Sequence, residues 1–167
     1  MDVFEHWPVE MVELSKIEPH PENYREHDVG AIAHSIKLWG VWRPMVVQES
    51  TNYVIVGNGE LKALQALGET VGPVRWMDVD DANARAILLA DNWIPSRGRN
   101  MPDELLEVMR ELREDAELFE ATGADDDDVE ALERDLADLD KPLKLDVKPK
   151  MRKITCPECS HTFEVKR

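Results

Sequence analysis

The sequence predicts an α/β fold, a small mixed sheet with helices, followed by a helical segment and a short zinc-knuckle-like tail. Three observations predict the sheet domain. Tyr53 to Val56 is a β-branched run that passes through Gly57, Asn58 and Gly59 into a helical stretch closed by Gly68. A second apolar run, Met45 to Gln48, precedes it across the turn formers Ser50, Thr51 and Asn52, so the two should pair as a hairpin. Between Asp28 and Gly40, residues Ile32, Ile36 and Trp39 recur at helical spacing, with Asp28 suited to cap the start.

In chain order, Val9 to Leu14 reads as a first strand, and Pro19 and Pro21 mark the turn after it. The helix from about Asp28 to Trp39 comes next, then strands at Met45 to Gln48 and Tyr53 to Val56. A helix from about Glu60 to Leu67 leads to a strand at Val74 to Met77. Asp80 or Asp81 can cap the following helix, whose Ile87 to Ala90 run is apolar enough to be buried. A hairpin plus one strand reached by a helical crossover makes a mixed sheet. This domain is placed at residues 1–97.

From Pro95 to Pro102 the sequence reads as a loop, and residues 98–140 as an acidic amphipathic helical segment. Leu105, Met109, Leu112, Ala116 and Phe119 form one stripe; Val129, Leu132, Leu136 and Leu139 form another beyond Thr122 and Gly123. Both stripes need cover, either from each other and the sheet domain or from a homodimer or partner interface. Asp125 to Asp128 is read as helix capping, since consecutive carboxylates diverge and a calcium loop alternates its ligands around a glycine.

Residues 141–167 form a basic tail with a Cys-x-x-Cys knuckle. Cys156 and Cys159 supply two thiolates and His161 a possible third ligand, half of what zinc takes. A second chain or a partner can complete such a site, or the cysteines can act as a thiol couple. Ser160 stands where most knuckles have glycine. The tail carries eight Lys/Arg against three Asp/Glu, whereas residues 1–140 carry twelve against thirty-two, or +5 and −20. So acidic a body repels duplex phosphate, and any DNA contact must use a local basic patch or the tail. With no membrane-spanning run and no signal peptide, the protein is expected in the cytoplasm.

The strand–glycine–helix junction is an anion frame: glycines admit a ligand to the backbone, and the amides of the helix start face it. Glu60 sits in its first turn, where a phosphate wants a cation. The sharper reading of this carboxylate is a general base; the plainer one is a favourable helix-start charge. His20 and His27 are expected at surface turns.

The succession of Ile17 to His27, Ser35 to Gly40, Arg43 to Val47, the glycine segment, Pro73 to Arg75 and Ala84 to Asn92 resembles the ParB N-terminal, or ParB/sulfiredoxin-like, domain family. The likeness spans roughly residues 9 to 94 and is nearest to the stand-alone versions of phages and other mobile elements. It implies that the segment around Asn23 and Arg25 and the loop before Pro44 flank the glycine loop, so that Glu22, Asn23, Arg25, His27, Arg43 and Lys62 meet there. The family usually continues its glycine motif with arginine, or histidine and arginine, which hold nucleotide phosphates; here the motif reads Gly57, Asn58, Gly59, Glu60.

Two classes of function follow. In one, the protein is a nucleotide-dependent phosphotransferase or hydrolase using a nucleoside triphosphate with magnesium. Glu60 or Glu22 is then base or metal ligand, and Arg25 and Lys62 contact phosphate. In the other it is a non-catalytic module for DNA or for a host or phage protein, dimerising through its helices and knuckle; a pure protein-binding adaptor is a variant of this class. Residues 98–140 show no helix-turn-helix, which argues against chromosome partitioning. The reading carried forward is a ParB-like nucleic-acid-associated accessory protein, phage-borne, with a degenerate or altered nucleotide site.

Overall fold

The computed structural model describes residues 8–139, 151–155 and 157–166, in two compact units, 1–136 and 137–167. In the first unit, strand β1 (Glu10–Glu13) runs into one turn of 3-10 helix at Leu14–Lys16, so the predicted first strand ends earlier than its apolar pattern suggests. Leu14 explains the difference: it is buried in the main core, a position the 3-10 turn gives it. The two-residue strand β2 (Glu18–Pro19) follows, too short to leave a periodic signal.

Helix α1 (Val29–Trp39) starts where the sequence places it, with the Asp28 side chain accepting from Ala31 N–H at 2.9 Å, and stops at Gly40. Strands β3 (Met45–Gln48) and β4 (Tyr53–Val56) form the expected antiparallel hairpin. Helix α2 (Asn58–Ala66) begins two residues before the predicted Glu60, and β5 (Val71–Met77) three before Val74. The sheet order is β1-β5-β3-β4-β2, with β3/β5 and β4/β2 parallel and β1/β5 antiparallel, a mixed sheet as expected.

Side chains alternate across β4 and so build two cores. Val54 joins Leu14, Ile17, Met45, Val47, Leu61, Leu64 and Val74 beneath α1 and α2. Ile55 turns the other way, to Ala84 and Leu88 of α3 (Asp81–Ser96). Asp80 caps that helix, accepting from Asn83 N–H at 2.8 Å. It runs on through Pro95, inside what the sequence suggested was a loop.

The acidic segment folds as α4 (Pro102–Leu112), α5 (Ala116–Ala121) and α6 (Asp126–Leu139). The first stripe is therefore not one helix: Asp115 accepts from Glu117 and Leu118 N–H, which restarts the chain in a new direction. Leu106, Phe119 and Val129 make a small core, with Met109, Leu112, Leu132 and Leu136 packed on it. The stripes thus cover one another, and α5 also lies against α1. Asp125 and Asp128 exchange hydrogen bonds, Asp128 N–H to Asp125 Oδ1 at 3.0 Å and Asp125 N–H to Asp128 Oδ2 at 3.1 Å, a reciprocal cap in keeping with the sequence reading. Among the described residues no helix is long and apolar enough to cross a membrane.

The second unit holds one hairpin, β6 (Met151–Thr155) antiparallel to β7 (Thr162–Lys166). Cys156 lies outside the described residues. Cys159 is free and exposed on the connection, and Ser160 adopts a left-handed φ of 58°, the conformation for which glycine is preferred.

Candidate functional site

The glycine loop joins β4 to α2 at the floor of a cleft of about 440 Å³. Gly57 caps α2 with φ 95°, and no side chain bonds to the free amides of this helix start. The first N–H groups of a helix have no partner within it, so those of Asn58, Gly59 and Glu60 are available donors, while Leu61 N–H bonds Gly57 O at 2.9 Å. Ile55 lines the cleft from β4; Asp91, Asn92 and Pro95 line it from α3; Ala121 and Thr122 bring in α5.

Seven of the residues singled out from the sequence line this cleft: Asn23, Arg25, His27, Arg43, Gly57, Asn58 and Glu60. The others are placed elsewhere. Glu22 pairs with Arg85 at 3.1 Å beside a separate small depression. Lys62 is exposed one turn along α2, near enough to act on His27 electrostatically. Gly59 is buried between α1 and the loop before it, where a β-carbon would come within 2.8 Å of Ile32 Cδ1 and 2.9 Å of His27 Cγ. A side chain there would displace Ile32 or His27.

Asn58, 3% exposed, has both ends of its amide committed: Oδ1 accepts from His20 N–H at 2.9 Å, and Nδ2 donates to Val54 O at 2.9 Å. Its side chain ties the preceding turn to the glycine loop and leaves only its backbone N–H to a ligand. His20 sits in that turn, 7% exposed, with Nδ1 accepting from Glu22 N–H and its ring tilted against Tyr53. It is not the surface residue its proline-rich surroundings suggest, because the Asn58 bond draws the turn inward.

Glu60 is the most altered position relative to the expected motif, and its charge is answered. Arg43 donates to Glu60 Oε1 from Nε at 2.8 Å and also from its second guanidinium nitrogen. The Glu60 side chain is only 13% exposed, against 53% for Arg43. Arg25 reaches Asn92 Oδ1 at 3.4 Å, linking the loop before α1 to α3. His27 is held below the ordinary imidazole range, first by burial and then by Arg25, with Glu60 opposing and Lys62 and Arg43 adding to the depression. The imidazole is therefore neutral at neutral pH.

Arg25, Arg43, Glu60 and Asp91 leave the cleft lining with balanced charge. No local pattern marks the α3 and α5 contributions, since each depends on how a helix packs back over the sheet. The nearest signal is that Asp91 and Asn92 directly follow the buried run Ile87 to Ala90.

The family model of the ParB N-terminal domain matches residues 2–93. This chain belongs to the ParB N-terminal domain family. A probable chromosome-partitioning protein ParB of Campylobacter jejuni is 30% identical over 88 residues, covering 49% of this chain and 32% of that protein. The chain thus spans about a third of that ParB's length. Among solved structures, the C-terminally truncated chromosome-partitioning protein ParB from Caulobacter crescentus, complexed with CTP-γ-S, matches with a TM-score of 0.61 at 19% identity, covering 78% of this chain and 79% of that one. Sulfiredoxin from Arabidopsis thaliana aligns at 23% identity over 48% of this chain and 97% of its own, with a TM-score of 0.42. The ParB likeness shows a common fold. In this chain Glu60, paired with Arg43 from the loop before β3, occupies the first turn after the glycine loop.

Proposed function

We propose that this chain is a ParB-type, nucleic-acid-associated accessory protein of phage origin whose cleft is an altered nucleotide site. The observation that carries the reading is the pairing of Arg43 with Glu60 at the start of α2. The glycine loop and the α2 amides supply a phosphate frame, and the Caulobacter crescentus ParB of the same fold is complexed with CTP-γ-S. A phosphate within about 4 Å of Glu60 would meet a repulsion of about 1 kcal/mol in water and several times that in a partly desolvated cleft. Recruiting Arg43 to that phosphate would in turn strip a largely buried carboxylate of its partner. The frame is retained and its charge is internally cancelled.

Calorimetry of the full chain with the four ribonucleoside triphosphates, with and without magnesium, tests this. The expected result is no binding tighter than about 100 μM, or roughly −5.5 kcal/mol. Micromolar binding together with hydrolysis would establish the enzyme reading instead. In that reading Glu60 is base or magnesium ligand, Arg25 and Lys62 contact phosphate, and Glu22 must first leave Arg85.

The proposal extends to the basic residues 141–167 as the DNA contact, since the acidic body repels duplex phosphate and the tail attracts it. It also includes zinc held by Cys156 and Cys159 and completed as a four-cysteine site by a second copy of the chain, His161 being the third ligand where the site instead closes locally. Among the described residues, which do not include Cys156, no group of three metal-ligating side chains occurs. The stripes of α4 to α6 pack on one another, and Leu89, Trp93 and Ile94 on α3 are among the large apolar side chains left exposed, a surface that a homodimer would cover. Metal analysis and light scattering on protein purified without chelators should find about half an equivalent of zinc per chain and twice the 19.1 kDa chain mass. Metal-free monomer would remove both claims.

A further inference from the structure

Helices α4 and α6 meet in the small core of Leu106, Phe119 and Val129, yet a groove of about 490 Å³ stays open along one side of that contact. Its two walls differ. On α4, Leu105, Val108 and Leu112 line it at steps of three and four, an apolar stripe that runs beside the buried Leu106. Val108, in the middle of that stripe, is 51% exposed. On α6 the lining is Asp128, Ala131 and Asp135, again at steps of three and four, so two carboxylates stand about two turns apart with a methyl group between them. Exposed apolar surface rimmed by polar groups marks an interaction site.

The charge around the groove decides what it takes. Residues 102–139 carry sixteen Asp/Glu against three Arg. Arg110 pairs with Glu133 at 2.6 Å and Arg113 with Asp126 at 2.7 Å, so two of the three are already spent. Asp128 accepts a backbone bond from Asp125, which leaves its charge unanswered, and the Asp135 carboxylate has no partner among the described residues. An occupant must therefore present cations beside an apolar face. No described helix of this chain carries more than one Lys or Arg, so a second copy has no such helix to offer.

We infer that the groove between α4 and α6 docks a basic amphipathic helix of a different protein. Apolar side chains at positions i, i+3 and i+7 of that helix lie on Leu105, Val108 and Leu112, and two Lys or Arg seven positions apart reach Asp128 and Asp135. Seven residues rise about 10 Å along any α-helix, so the cations of the visitor and the carboxylates of α6 keep step. Ala131 ends at its β-carbon, which admits the visiting helix between the two charges. Met109, also in the lining, is unbranched and adapts to the shape that arrives. The inference is independent of the glycine-loop cleft.

The test titrates the full chain into a fluorescein-labelled helical peptide of leucine, lysine and alanine, about 18 residues long, and reads anisotropy. Its leucines stand at i, i+3 and i+7 and its flanking lysines seven apart. At about 50 mM salt, where charge is weakly screened, the dissociation constant should be about 10–100 μM. Val108→Gln removes apolar contact and Asp135→Lys reverses one charge; each should weaken binding about fivefold to tenfold. Both positions are exposed, and glutamine and lysine are better helix formers than the residues they replace, so the thermal midpoint should not fall. Glu130→Lys makes the same charge change on α6 at a residue outside the lining, and there the affinity should hold within about twofold.

Equal losses in Glu130→Lys and Asp135→Lys would reduce the effect to general attraction by an acidic surface and overturn the docking site. So would equal binding of a peptide with the same composition in scrambled order, or no binding of the patterned one. A peptide of residues 140–150, with its four lysines, binding as tightly as the patterned helix would give the groove to the chain's own tail. A doubled mass in light scattering that Val108→Gln abolishes would give it to a second copy. Either result overturns the assignment to a different protein.

Discussion

Gly57→Ala should lower the unfolding free energy by about 2–5 kcal/mol, measured by urea denaturation against the parent chain. Two costs combine at this position. Gly57 adopts φ 95°, where an L side chain clashes with its own backbone, worth about 1–2 kcal/mol. The new β-carbon would also lie 2.9 Å from Met45 Cγ and 3.4 Å from Met45 Cα. Met45 is 1% exposed in the main core, so it cannot swing aside without opening a void or displacing β3. Gly68→Ala is the internal control: its φ is 80° and nothing lies within 4 Å of the added carbon. That variant should show the backbone cost alone, about 1 kcal/mol. Equal losses in the two variants would mean that Met45 absorbs the clash and that the glycine loop is not pinned by the core. With a typical stability of about 5–15 kcal/mol, Gly57→Ala should still fold, with a loosened cleft floor.

Glu60→Gln should strengthen nucleoside triphosphate binding by about tenfold or more, the equivalent of about 1.4 kcal/mol. The substitution removes the negative charge from the first turn of α2 while keeping side-chain shape. It also frees Arg43, whose planar fork suits a phosphate and here is spent on Glu60. The effect on stability should be small, because Arg43 is about half exposed and the pair is partly screened. A thermal melt of the unliganded variant separates that cost from the gain in binding. The sequence alone favours Glu60→Arg, which restores the residue type usual in the family. The structure favours glutamine, since an arginine at position 60 would face Arg43. If the parent chain hydrolyses a nucleotide and Glu60→Gln abolishes it, Glu60 is catalytic and the altered-site reading falls.

Neither outcome turns on the whole sequence equally. The sequence by itself determined the elements that carry their own local signals. The Asp28 cap and Gly40 stop bound α1, β-branched runs mark β3 and β4, and the glycine junction announces a helix start with a ligand frame. Each of these is a short-range effect, in which neighbouring residues set backbone angles or hydrogen bonds a few positions away. The Asp125–Asp128 cap was legible for the same reason.

Tertiary structure decided the rest. Two-residue β2 exists only because β4 offers it a parallel edge. The apolar stripe of residues 105–119 splits into two helices because Asp115 caps a new start, allowing Phe119 to meet Leu106 and Val129. His20 is buried through a bond to Asn58, thirty-eight residues away. Most of all, Glu60 read from sequence is a misplaced charge in a phosphate frame. Arg43, seventeen residues earlier, turns it into half of an ion pair, a fact that no periodicity or motif spacing records, because it depends on β3 bringing that loop beside the start of α2.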